Sequence, residues 1–227
     1  SILLAMVMVL SMTTAAFAAF TDKDTPASST ADVTIDKVAK ETTSMTAYSV
    51  INASDNGKGV VTYTLEDWAK EALKGETWTD GQGSVHTLVS SDKSTVDIEA
   101  IIQALGGEVA IAGGQKTQNG NVPTNMKNNV LAKLSAAWTN LSTAPSVQSY
   151  TATLASDSAS TKGEKIATFT GVKVGYYLVV PSDSVNVYNP MSIAVGLKAD
   201  TTSGEYNGVQ AQNSTAKFTQ VGLDKKQ

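Results

Sequence analysis

Apolar and polar residues alternate through "ADVTIDKVA", so that Val33, Ile35 and, less cleanly, Lys37 share one face of a predicted strand. "MTAYSVIN", rich in β-branched and aromatic residues, predicts a second strand. "ASDNGKG" carries an Asn-Gly turn signal, and "VVTYTL" resumes as strand. The period then changes. "TLEDWAKEALKG" predicts a helix with Thr64 as N-cap, Glu66 and Asp67 in the first turn, and Gly75 just past its end. "SSDKSTVDIEAIIQALGG" places Ile98, Ile101, Ile102 and Leu105 at helical spacing before a Gly-Gly stop. "NMKNNVLAKLSAAWTNLS" is amphipathic through Val130, Leu131, Leu134, Ala137, Trp138 and Leu141. The remainder returns to strands in "SYTATLAS", "KIATFTGVKVGYYLVVPS", "MSIAVGLKA" and "VQAQNSTAKFTQVGL". Strands, helices and strands again, without a βαβ rhythm, predict a mainly β fold: a β-sandwich with a helical insertion over about residues 64–142.

The first eighteen residues are apolar and end on Ala16-Phe17-Ala18, which reads as the core and cleavage site of a signal peptide whose charged start is missing. A transmembrane anchor is the rival, and the small-residue end favours cleavage. Residues 19–30 then form a polar linker, and residues 31–221 the folded domain. The chain is therefore expected to be secreted, yet it has no cysteine. Core packing, a metal or another covalent device must stand in for disulfides. The formal charge is −4 and every basic residue is lysine. A mildly acidic chain without arginine argues against nucleic acid as a partner, and no basic run suggests a membrane surface for the mature form.

Candidate chemistry is sparse. His86, in "SVHTLV", has no "GxSxG" elbow to serve, and reads as a strand histidine. One histidine and no cysteine leave no zinc motif, and no cofactor is expected. The acidic pairs Glu66/Asp67 and Asp97/Glu99 sit where helix first turns favour acids. Asn52, Asn140 and Asn213 lie in glycosylation-like triplets, a pattern common by chance in a chain rich in Ser, Thr and Asn. Trp68, Trp78 and Trp138 could make a carbohydrate platform, but two of them lie in amphipathic helical or flanking segments, which favours core packing. No turnover enzyme is expected.

Three segments carry a resemblance. "ADVTIDKVAKETTSMTAYSVI" resembles the opening of the N-terminal domain of Gram-positive, sortase-assembled fimbrial proteins, the isopeptide-forming pilins. "VGYYLVVPSDSVNVYNPMSIAV" is similar to their "GxYLV…VYNPM" segment, and "STAKFTQVGLDKK" to their "AxAKxSxxxLDKK" domain junction. The resemblance spans roughly residues 31–226, the helical middle matching only in type. It implies an Ig-like sandwich, a structural or adhesive subunit of a cell-surface fimbria, and neither turnover nor cofactor. Residues 222–227 would begin the junction to a following domain, with further Ig-like domains and a cell-wall sorting signal beyond. Implied partners are other pilin subunits, a sortase, and host glycans or matrix proteins.

The resemblance also implies covalent chemistry. In such domains a lysine of the first strand attacks an asparagine amide of the last, with loss of ammonia. The amine must be desolvated to be neutral, and a buried protonated acid must polarise the amide. Lys37 and Asn213 are the matching pair, with Asn189 of "VYNPM" an alternative to Asn213. The family's acid belongs on the "GYYLVV" strand, near Val180, which here has none, so Asp97, Glu99 or Glu66 would have to serve. Gln212 stands where a sortase-joined lysine would be wanted; Lys217 is the alternative acceptor, and Lys225 matches the first-strand lysine of the next domain. The rival reading is a surface module binding carbohydrate or matrix protein, with Trp78 in the site; a hydrolase using His86 is a distant third.

Overall fold

The computed structural model describes residues 15–17, 27–55, 61–106, 123–199 and 206–220. In chain order the elements are β1 (Ala15–Phe17), β2 (Thr30–Val38), β3 (Ser44–Asp55), β4 (Val61–Leu65), α1 (Asp67–Leu73), β5 (Thr77–Thr79) and β6 (Val85–Thr87). There follow α2 (Ile98–Ala104), α3 (Thr124–Thr139), β7 (Ser149–Thr151), β8 (Thr153–Ser156), β9 (Lys165–Lys173) and β10 (Gly175–Ser182). The last are β11 (Asn186–Tyr188), β12 (Met191–Ala199), β13 (Tyr206–Gln212), β14 (Ser214–Thr215) and β15 (Phe218–Gln220). The fold is mainly β, with helices between the early and late strands, as the pattern predicted. The insertion is not wholly helical, because β5 and β6 form a small hairpin inside it.

A seven-stranded sheet runs in the order β1-β4-β3-β10-β12-β13, with β7 also paired to β3. A four-stranded sheet runs β14-β2-β9-β8. On β2, Val33, Ile35 and Val38 are buried while Asp32 and Asp36 are exposed, the signature of a sheet with one face on a core. The central strand β10 differs. Tyr176, Tyr177, Leu178 and Val179 are all buried in succession, so both of its faces are covered. Contacts of β12 and β13 with β2, and of β7 with β9, join the two sheets; α3 packs on β10 from the helical side. Each such apolar side chain contributes about 1.5–3 kcal/mol by leaving water.

Aromatic contacts pin the helices to β3. The Trp138 ring lies 4.0 Å from that of Tyr48 and 5.0 Å, edge on, from that of Trp68. The indole N–H of Trp68 donates to the Ser49 carbonyl at 2.9 Å. Trp68 and Trp138 are therefore packing residues, as their segments suggested. Helix α1 begins two residues later than the sequence implied. Thr64 and Leu65 are held in the sheet opposite Asn52 and Ile51, and Glu66 becomes the N-cap. Asp97 caps α2, accepting from the Ala100 N–H at 3.1 Å.

Residues 15–17, within the expected leader, pair antiparallel with β4. Among the described residues, no helix is long and apolar enough to cross a membrane.

Gly175 marks the tightest backbone approach around the central strand. A Cβ there would lie 2.7 Å from the Ile51 carbonyl oxygen and 3.0 Å from the Tyr177 hydroxyl. Gly196, on neighbouring β12, has nothing within 4 Å of the same position. Gly175→Ala should therefore cost about 1–3 kcal/mol by overpacking, read by urea denaturation, whereas Gly196→Ala should leave the midpoint nearly unchanged.

Candidate functional site

The described chain closes on itself where its last strands meet β2. Strand β13 pairs antiparallel with β12 in the seven-stranded sheet. One residue later the chain changes sheets, and β14 lies parallel to β2, with Ser214 opposite Ile35 and Thr215 opposite Asp36. Asn213 is the residue at the crossing. Its Oδ1 accepts from the Thr34 N–H at 3.0 Å, and the Ala216 N–H donates to the Asp36 carbonyl at 2.9 Å. The side chain of Asn213 thus supplies one rung that the two-residue strand is too short to make. Ala216 is buried beside this ladder, while Asn213 itself is exposed.

Lys37 departs from its expected inward phase. Ile35 pairs with Ala167 and Val38 with Lys165, so β2 holds one residue more than β9 across this interval. The bulge places Lys37 in the left-handed region, at φ 57°, and turns its side chain to solvent; Val38 takes the core position. Asn213 therefore reaches the first strand, but the lysine expected to attack it is not desolvated. The acids considered as assistants are committed to other groups. Asp97 Oδ2 accepts from the Trp78 indole at 3.3 Å, Glu66 accepts from the Asn52 amide, and Glu99 from the Gln103 amide at 3.4 Å. β10 carries no acid, as its sequence stated.

Just past β2 lies a half-buried polar knot that sequence reasoning did not single out. The Ala39 N–H donates to the Tyr188 hydroxyl at 2.8 Å; that hydroxyl is 2.6 Å from Thr42 Oγ1, which donates to Asp183 Oδ2 at 2.8 Å. An ionised carboxylate only accepts, so Thr42 spends its proton on Asp183 and Tyr188 must donate to Thr42. The result is a one-way relay of donors ending on a carboxylate, in which each bond polarises the next. Asp183 also accepts from the backbone N–H groups of Val185 and Asn186, both at 2.8 Å, and from the Asn186 side-chain amide at 3.0 Å. Lys165 Nζ donates to the Thr42 carbonyl at 2.8 Å. Burial pushes the Asp183 carboxyl up, but these donors outweigh it and hold the group below the usual aspartate range. Burial moves the Tyr188 phenol upward, keeping it a donor at neutral pH. The legible signal was "DSVN": an Asp whose side chain bonds backbone two and three residues on is a recurring local motif.

The knot anchors the exit segment. Tyr188 lies opposite Phe218 in the β11–β15 pair, with ring centroids 5.2 Å apart. Beyond that pair, the Asn189 N–H donates to the Lys217 carbonyl at 2.9 Å. Asn189 and Lys217 are both exposed. Asn189 is held by this backbone bond, and Lys217 presents its amine to solvent. Gln212 pairs with Ala194 at the end of β13, and Lys225 lies outside the described residues. His86 sits in the β5–β6 hairpin with its Nε2 2.9 Å from Asp80 Oδ2 and its ring stacked on Trp78 at 4.6 Å. Among the described residues no cluster of His, Asp or Glu could hold a metal.

Two measurements follow from this geometry. Asp183→Ala strands several donors and should lower stability at pH 7 by about 1–3 kcal/mol. Because the folded carboxyl lies below its unfolded value, its contribution is complete above the ordinary aspartate range and is lost as pH falls through the lower folded value; acid titration of the parent, but not of the variant, should show that loss. For protein starting at Ala19, intact mass under denaturing conditions should equal the mass of that sequence, because Lys37 is exposed. A parent lighter by one ammonia, with Lys37→Ala at its full mass, would show instead that Lys37 is joined covalently.

No family model matches the chain, and no curated protein matches it. Among solved structures, the T6 backbone pilin of serotype M6 Streptococcus pyogenes, described as a modular three-domain structure with variable loops and extensions, is similar at 12% identity and a TM-score of 0.46. The match covers 84% of this chain and 28% of that one, so the chain matches less than a third of the pilin's length.

Proposed function

We propose that this chain is a load-bearing module of a cell-surface fimbria, exported and joined to its neighbours by a sortase. The observation that carries the reading is the parallel pairing of β2, the first strand of the four-stranded sheet, with β14. Tension entering ahead of Thr30 and leaving after Gln220 slides these two strands in opposite directions. Their hydrogen bonds are then loaded together rather than peeled one after another. Survival under load depends on the unfolding rate, which such a geometry slows.

The sequence segments that resemble fimbrial proteins support the same reading. "VYN" and "KFTQ" lie about thirty residues apart in the chain, yet they form the β11–β15 pair and its continuation. A segment resembling a domain junction is thus fastened to the body of the domain, where load would pass to a following one. Lys217, exposed within this segment, is the amine we assign to sortase. Its bond would be an amide formed by attack on an acyl-enzyme thioester, releasing the sortase cysteine. Lys37 and Asn213 serve in this reading as a solvent-facing bulge and a strand clamp; an amide between them would add to the clamp without being needed for it.

The test uses the full-length protein in its own cells. Cell-wall extracts boiled in detergent should give a ladder of multimers on immunoblot, and Lys217→Ala should collapse it to monomer. A parent that runs only as monomer would overturn the fimbrial reading. A ladder that survives in Lys217→Ala would overturn the assignment of that lysine alone.

A further inference from the structure

A groove of about 200 Å³ opens between the β5–β6 hairpin and the first half of α3. It is smaller than the ~300 Å³ at which sites for drug-sized ligands begin, so it suits a ligand of about one ring. Its apolar side comes from Leu73, Leu88, Met126 and Val130, and its polar rim includes Asn125 and Asn129. The charged residues lining it are Glu76 and Lys133, which pair at 2.6 Å and cancel. The site therefore offers no net charge to a ligand.

Trp78 gives the groove its aromatic wall. His86 stacks on one face of this indole at 4.6 Å and 23°, and Asp97 accepts its N–H at 3.3 Å. Asp80 holds His86 in turn, and also accepts from the N–H groups of Gln82 and Ser84. The ring is thus fixed in orientation by His86 on one face and Asp97 at its N–H edge, and in that orientation it lines the groove. Trp78 is only half-buried, unlike Trp68 in the aromatic cluster against β3.

A rigid aromatic wall, an apolar floor, amide groups at the rim and no net charge match a neutral pyranose. Such a sugar has a C–H face that packs on an aromatic ring and a rim of hydroxyls that bond amides and carboxylates. The geometry points to a binding site for a neutral hexose or N-acetylhexosamine in this groove, with Trp78 as the packing surface and Asn129 as a polar contact. The inference goes beyond the fimbrial reading and does not rest on it, because it concerns the isolated chain and needs no assembly.

Saturation-transfer NMR on the purified chain with D-glucose, D-galactose and N-acetyl-D-glucosamine tests it. At least one of these sugars should receive saturation, with a dissociation constant on the order of 1 mM. Trp78→Ala should abolish the transfer, and Asn129→Ala, at an exposed helix position, should weaken it several-fold while the melting temperature stays unchanged. If Trp78→Ala does not fold, the Asn129→Ala result decides. No transfer to any of the three sugars, or undiminished transfer in a folded variant, would overturn the assignment.

Discussion

A strand with no polar face must be covered twice, and the rest of this molecule is organised around meeting that demand for β10. Tyr176 through Val179 are buried without interruption. One layer comes from the four-stranded sheet. The other comes from the helices, held to β3 through Trp68, Trp138 and Tyr48. The helical insertion is therefore no appendage: without it, half of the central strand and of β3 beside it would face water. The hydrophobic contribution of those side chains, about 1.5–3 kcal/mol each, falls away if either layer is lost.

The apolar strand also bears on the chemistry. A carboxylic acid on β10 would lie between two apolar layers, where it could remain protonated. This chain has none there, and its first-strand lysine stands in solvent at a bulge. At the junction of its first and last paired strands the structure shows a hydrogen-bonded closure. Asn213 lengthens a two-residue strand by one rung, and the Tyr188–Thr42–Asp183 relay fixes the turn against which the exit segment pairs. A disulfide or amide restrains the unfolded chain as well as the folded one; these bonds stabilise only the folded state.

The broad outline was legible in the sequence because period changes are local. The strand from Val33, the amphipathic helix of Val130 and Leu134, and the apolar run of β10 all follow from residue order. Lys37 was misplaced because strict alternation assumes an unbroken ladder, and the extra residue shows only when β2 is set against β9. Thr64 was misread as a cap because its pairing with Asn52 is a tertiary fact. The polar knot joins residues from 39 to 188 and leaves only "DSVN" as a local trace. Trp78 looked like another packing tryptophan. Its place in the groove beside residues of α3 depends on the hairpin that carries it, and the short strands β5 and β6 carry no strong periodic signal.

The pairing of β2 also sets an order of events. No neighbour for it exists until β9 has been made, and its second edge stays open until β14 arrives, almost at the end of the described chain. Contacts this distant in sequence make for slow closure. An emerging chain therefore cannot complete its sheet early and then stall as a folded body. The domain thus stays open along β2, and free to be moved as an unfolded chain, until residues 213–216 are in place.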